Sequence, residues 1–218
     1  MWMPGQVAAL APELQSAGLT LSPEELGDVR RAPLNAIVWL GNCSASFVSP
    51  KGLVATNHHC VLQSLQANSN AGHDYITHGL TARDKSEELP AAPGSRIYVL
   101  DNIQDVTGTI LAGTKSLSGE QRTLRIEQNQ KRLIADCEAA PGARCTIGPI
   151  YQGARFILQK MLEIRDVRLV HAPPAAIGKY GGEEDNWMWP RHTGDYSFYR
   201  AYVAPDGTPA AFSPDNIP

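Results

Sequence analysis

Apolar positions along the chain change period several times, and each change marks an element. Val7, Leu10, Ala11 and Leu14 recur at helical spacing within residues 5–17. Ser22-Pro23-Glu24-Glu25 then supplies an N-cap, a proline at the first helical position and acidic first-turn residues. Two short helices are therefore predicted at the start. From Ala36 the pattern becomes extended: Ile37-Val38-Trp39-Leu40, then Ser46-Phe47-Val48, a turn at Ser49-Pro50-Lys51-Gly52, and Leu53-Val54-Ala55. This predicts a β-hairpin that ends at the histidine pair His58-His59.

Residues 63–94 are polar and turn-rich, and further strands are predicted at 96–100 and 106–110. Between 119 and 140 the composition shifts to Glu, Gln, Arg, Lys and Leu, with Leu124, Gln128 and Leu133 in helical register, so a helix interrupts the strands. Extended patterns return at 155–164, 167–170 and 196–203. The fold class expected is mainly β with helical insertions.

Composition sharpens this picture. Over 218 residues, 19 Gly and 16 Pro suit many short strands joined by turns better than a helical bundle. A formal charge of −3 gives no basic field for a nucleic acid or an anionic membrane, so neither partner is expected. No apolar run approaches the roughly 18 to 20 residues that span a bilayer. Met1-Trp2-Met3-Pro4-Gly5 also lacks the charged and apolar regions of a leader.

Cys43, Cys60, Cys137 and Cys145 fit neither a zinc pair nor a redox motif, and their even number is compatible with two disulfides and an oxidising compartment. Connectivity is not fixed by sequence. Cys137 and Cys145 are close enough to close a small loop, which leaves Cys43 with Cys60.

Two segments carry candidate chemistry. The first is Leu53-Val54-Ala55-Thr56-Asn57-His58-His59-Cys60, preceded by Gly41-Asn42-Cys43-Ser44. The second runs from Gly181 to Arg200 and includes Asp185-Asn186-Trp187-Met188-Trp189 and Gly194-Asp195-Tyr196. A histidine acting as general base needs a carboxylate on its far ring nitrogen, and Asp195 opens an alternating strand where it is well placed for that role.

Met1 to Pro4, the block from Ala36 to Cys60, and Asp185 to Tyr202 together resemble the bacterial dipeptidyl aminopeptidases of the trypsin-like serine peptidase superfamily. These exopeptidases release dipeptides from free amino termini. The resemblance implies a trypsin-like double β-barrel, of which residues 1–218 hold mostly the first barrel, with the second barrel and a large helical domain absent. It implies His59 as general base beside a bridging Cys60, and Asp195 as its orienting carboxylate. Asn186 and Trp187 are then expected to bind the substrate's α-ammonium group, through an amide acceptor and an indole face. No metal or other cofactor is implied. The expected setting is periplasmic or secreted, the expected partners are peptides with a free amino terminus, and the whole enzyme is expected to be a homodimer.

The family's nucleophilic serine lies late in a longer chain, in a Gly-Asn-Ser-Gly-Ser-Pro-like turn that does not occur in these residues. Gly41-Asn42-Cys43-Ser44 only echoes it, because Ser44 belongs to the hairpin that presents the base. The chain is thus expected to be a natural truncation or a part of a longer enzyme, inactive alone and clipped of its signal peptide. Two other functions compete with this one. A metal hydrolase lacks any His-Glu-x-x-His helix, and adjacent His58 and His59 on a strand point to opposite faces. A non-catalytic module that holds peptide amino termini through the Trp-rich loop is the other.

Overall fold

In the computed structural model, which describes residues 3–178 and 193–218, the chain is mainly antiparallel β with helices between the strands. The strands are β1 (Ile37–Trp39), β2 (Ser44–Phe47), β3 (Leu53–Thr56), β4 (Leu80–Thr81), β5 (Leu89–Pro90), β6 (Ile97–Asp105), β7 (Ala143–Ile150), β8 (Arg155–Ile164), β9 (Asp166–Ala172) and β10 (Ser197–Tyr202). Two compact units divide it, one formed by residues 1–35 and 99–163, the other by residues 36–98 and 164–218.

The unit of residues 36–98 and 164–218 is a sheet in the order β4-β9-β10-β3-β2-β1, with β5 also paired to β9. β10 alternates buried and part-buried positions from Ser197 to Ala201, whereas β9 buries four consecutive residues from Asp166 to Leu169; Val38, Ala45, Val54, Leu169 and Tyr199 are buried with Val61 and Leu65. The predicted hairpin is present as β2 and β3, and β1 extends it to a three-strand meander. Burial pushes the Tyr199 phenol up to about 12, and its hydroxyl lies 2.7 Å from Ser64 Oγ.

Beneath this core runs a buried polar network. Asp166 accepts Arg168 Nε at 3.0 Å, Arg168 Nη2 at 2.8 Å and Asn216 Nδ2 at 2.8 Å. The Arg168 guanidinium lies 4.0 Å from the centre of the Tyr202 ring, and the Tyr202 hydroxyl donates to Glu88 Oε2 at 2.7 Å. Arg200 Nε donates to the other Glu88 oxygen at 2.7 Å. Each buried charge is therefore paired and hydrogen-bonded, as burial requires. The network ties β9 and β10 to the segment before β5 and to the chain's last residues.

Residues 63–94, read from sequence as polar and turn-rich, contain more regular structure than expected: the helices Leu62–Asn68 and Tyr75–His78 and the two-residue strands β4 and β5. Such short elements leave little periodicity to read. They are set by local bonds, such as Asp74 Oδ1 accepting from Thr77 N at 3.0 Å, and by burial of Leu65.

In the other unit, β7 pairs with β8 along its whole length, from Ala143 opposite Leu162 to Ile150 opposite Arg155. The Gly148-Pro149 pair disguises β7 as a turn in the sequence. This strand ends the order β6-β8-β7, and an edge strand accommodates a missing N–H. The predicted strand at 106–110 is instead a helical turn, Thr107–Ile110. Asp105 Oδ1 accepts from Thr107 N at 2.9 Å and turns the chain, which buries Ile110 against Val106, Cys145, Phe156 and Leu158. Tertiary burial here overrides the β preference of Val and Thr.

The predicted long helix is present as Gly119–Cys137. Leu124 is exposed, while Ile126, Leu133 and Cys137 pack on the core and buried Asn129 lies between them. Asn129 Nδ2 donates to the carbonyls of Ile110 at 2.9 Å and Ala112 at 3.0 Å. A polar residue on the inner face breaks the apolar pattern. A disulfide from Cys137 to Cys145 joins the helix end to β7. No helix among the described residues is long and apolar enough to cross a membrane.

Candidate active site

The site is assembled by the pairing of β3 with β10. Ser197, the first residue of β10, lies opposite Thr56, the last residue of β3. Residues just beyond one strand end therefore meet residues just before the other. Asn57 and a single 3-10 turn, His58–Val61, follow β3, while Asp195 precedes β10 by two residues. His58 and His59 thus sit on a turn rather than at the end of a strand, which corrects the sequence expectation. The turn is anchored by the Cys43–Cys60 disulfide, with an S–S distance of 2.03 Å, which joins it to the residue before β2.

His59 is held twice by Asp195. Its backbone N–H donates to Asp195 Oδ1 at 3.2 Å, and its ring Nδ1 lies 3.1 Å from Asp195 Oδ2. An ionised carboxylate only accepts, so Nδ1 carries the proton and Nε2 is the ring nitrogen left for proton exchange. Asp195 also accepts Asn57 Nδ2, at 3.0 Å on Oδ2 and 3.3 Å on its own backbone carbonyl.

These contacts decide the charge. Burial of Asp195 works to raise its pKa, and the N–H of His59, the Asn57 amide and the His59 ring outweigh it, so the carboxyl is held below its ordinary value. The side chain of Asp195 is 17% exposed and that of His59 is 51% exposed, so the imidazole faces outward from a mostly buried partner. The arrangement can orient and polarise a base, and it would stabilise an imidazolium formed by protonation of Nε2.

His58 has the opposite fate. It is fully buried, and a Cβ on Gly178 would overlap its ring, so the imidazole packs directly on backbone. The one-residue step along the 3-10 turn separates an inner histidine from an outer one. Cys43, His59 and Cys60 bring ligand atoms within 4.8 Å of one another. Both sulfurs are consumed by the disulfide, so this cluster offers no thiolate to a metal ion.

Asn186 and Trp187, expected to bind a substrate amino terminus, lie outside the described residues. Asn57 is the contact that sequence reasoning missed. Its signal was positional: a short amide two residues before the candidate base, at a strand end that must face the start of β10.

A family model described as Peptidase S46 matches residues 1–218. The chain is 44% identical over 217 residues to the Asp/Glu-specific dipeptidyl-peptidase of Shewanella putrefaciens, covering 100% of this chain and 30% of that protein. It is 36% identical over 219 residues to dipeptidyl-peptidase 7 of Phocaeicola vulgatus, covering 96% of this chain and 30% of that one. Its structure is similar to that of Porphyromonas endodontalis DPP11 in complex with substrate, with a TM-score of 0.88 at 33% identity, covering 100% of this chain and 33% of the other. The chain thus spans about 30% of the length of these curated relatives. With its full length matched by the family model, the chain belongs to the peptidase S46 family.

Proposed function

We propose that this chain supplies the base and its orienting carboxylate to a serine peptidase that releases dipeptides from free amino termini. The observation that carries the reading is the His59–Asp195 contact of 3.1 Å, with the carboxylate fixed by two further donors. The relatives named as dipeptidyl-peptidases support the reaction class.

In the proposed reaction a serine hydroxyl, contributed by sequence outside residues 1–218, attacks the carbonyl carbon of the second peptide bond. His59 Nε2 takes the hydroxyl proton as the C–O bond forms, and delivers it to the amide nitrogen as the C–N bond breaks. Water then attacks the acyl ester by the same route, returning the proton to the serine and freeing the dipeptide. Asp195 stays ionised throughout and stabilises the imidazolium.

Asn186 and Trp187 are proposed to hold the substrate's ammonium, which sets the cut two residues from the end. The Cys43–Cys60 and Cys137–Cys145 bridges support a periplasmic or secreted setting. The trypsin-like double barrel and the homodimer are carried by the resemblance of the sequence to its family. Peptides with Asp or Glu at the second position are the first substrates to test, given the name of the 44% identical relative.

The test is mass spectrometry of the products made by the full-length enzyme from a free peptide and from its amino-acetylated twin. Dipeptides are expected from the free peptide, with acetylation lowering kcat/KM by about 100-fold or more, because it removes the charge and the donors that the ammonium offers. Equal cleavage of the two peptides contradicts the reading.

A further inference from the structure

Asn57 is an exposed residue with a polar side chain that spends its amide on one partner twice. Its Nδ2 reaches Asp195 Oδ2 at 3.0 Å and the Asp195 carbonyl oxygen at 3.3 Å. The same Oδ2 lies 3.1 Å from His59 Nδ1. One carboxylate oxygen is therefore shared between the ring it orients and the amide that precedes the ring by two residues. The second oxygen, Oδ1, accepts the His59 backbone N–H at 3.2 Å.

We propose that Asn57 is a positioning residue for the His59–Asp195 pair, clamping the Asp195 carboxylate and its backbone so that Oδ2 stays in line with Nδ1.

The clamp is needed because Asp195 is not inside a strand. It lies in the extended residues before β10, whose pairing with β3 begins at Ser197 opposite Thr56. The ladder between the two strands therefore starts beyond it, and the Asn57 bond to its carbonyl holds the backbone instead. Rotation about the Asp195 side chain would break both His59 contacts at once. A donor on Oδ2 from the β3 side resists that rotation. Asparagine suits this position because its amide is a donor that stays uncharged, so it fixes the carboxylate without neutralising it. Lysine or arginine at this place would compete with the imidazolium for the same charge.

The proposal rests on the base-and-orienter reading above, so the experiment separates the two. In the full-length enzyme, kcat and KM are measured against pH for wild type, Asn57→Leu, Asn57→Asp, Asp195→Asn and His59→Ala. Asn57→Leu keeps the approximate shape and removes the donor. It is expected to lower kcat by about 10- to 100-fold with KM within about twofold, the cost of a small misalignment of reacting groups.

Asn57→Asp replaces the donor by a second carboxylate. Among the described residues, His59 is the titratable group in contact with Asp195, so the added negative charge falls on the imidazolium. The acid limb of kcat/KM is expected to move to higher pH by about one unit, which reports that position 57 is coupled to the His59–Asp195 pair, while the kcat loss at constant KM in Asn57→Leu separates positioning from a structural role. Two results overturn the proposal while leaving the His59–Asp195 reading in place. One is an unchanged kcat and pH profile in both Asn57 variants beside inactive Asp195→Asn and His59→Ala. The other is a kcat loss in Asn57→Leu that matches its loss of folded protein, with no pH shift in Asn57→Asp. Full activity in Asp195→Asn refutes the base-and-orienter reading itself.

Discussion

His59→Ala and Asp195→Asn are each expected to lower kcat for dipeptide release by about 10⁴-fold in the full-length enzyme, with the double variant little worse than either alone. The two side chains act as one unit through the contact of Nδ1 and Oδ2, and members of such units show non-additive losses. Asp195→Asn keeps the shape but presents an amide that can donate to Nδ1, which favours the wrong tautomer. Steady-state kinetics on an unblocked dipeptidyl substrate reads the effect. Losses that multiply in the double variant would show that the two residues act separately.

A comparable upheaval in stability is expected from Asp166→Ala. The Asp166 side chain is fully buried, and its removal leaves the Arg168 guanidinium, 8% exposed, without its carboxylate, while Asn216 Nδ2 keeps the Ala211 carbonyl but loses its charged acceptor. Asp166→Ala removes the hydrogen bonding that raises the pKa of Arg168, but an arginine keeps its proton at any ordinary pH, so the guanidinium stays charged after the substitution. Breaking one side of a buried pair costs about 3–5 kcal/mol. Urea unfolding should show that loss, whereas replacing both partners, as Asp166→Leu with Arg168→Met, should be markedly milder. Because Asp166 pairs with Tyr202 across β9 and β10, the damage should extend toward the strand that Asp195 precedes. A cost below about 1 kcal/mol for Asp166→Ala would mean that the network contributes little to the unit.

What could be read from the sequence follows physical lines. The β1–β3 meander and β10 were legible from their short extended patterns, and β8 and β9 from apolar runs in which consecutive residues are buried. The contact of His59 with Asp195 and the cysteine frame were legible because motif residues next to them in the chain point to both. Asn57 was not, since its role exists only once β10 lies beside β3. The helical turn at Thr107–Ile110 and strand β7 were hidden for opposite reasons. In the first, the turn made by Asp105 Oδ1 and Thr107 N, with a distant core, overrules β-branched residues. In the second, edge position forgives a glycine and a proline. The inner face of the Gly119–Cys137 helix was not legible, because Asn129, polar and buried, is satisfied by carbonyls far away in sequence.

The proton-transfer claim is tested most directly by reaction of the full-length enzyme with a serine-directed fluorophosphonate, followed by peptide mapping of the adduct and of the Cys43–Cys60 bridge. A base at His59 predicts rapid labelling of one serine in the wild type, and labelling slowed by several orders of magnitude in His59→Ala with the bridge intact. Equal labelling rates in the two proteins would contradict it.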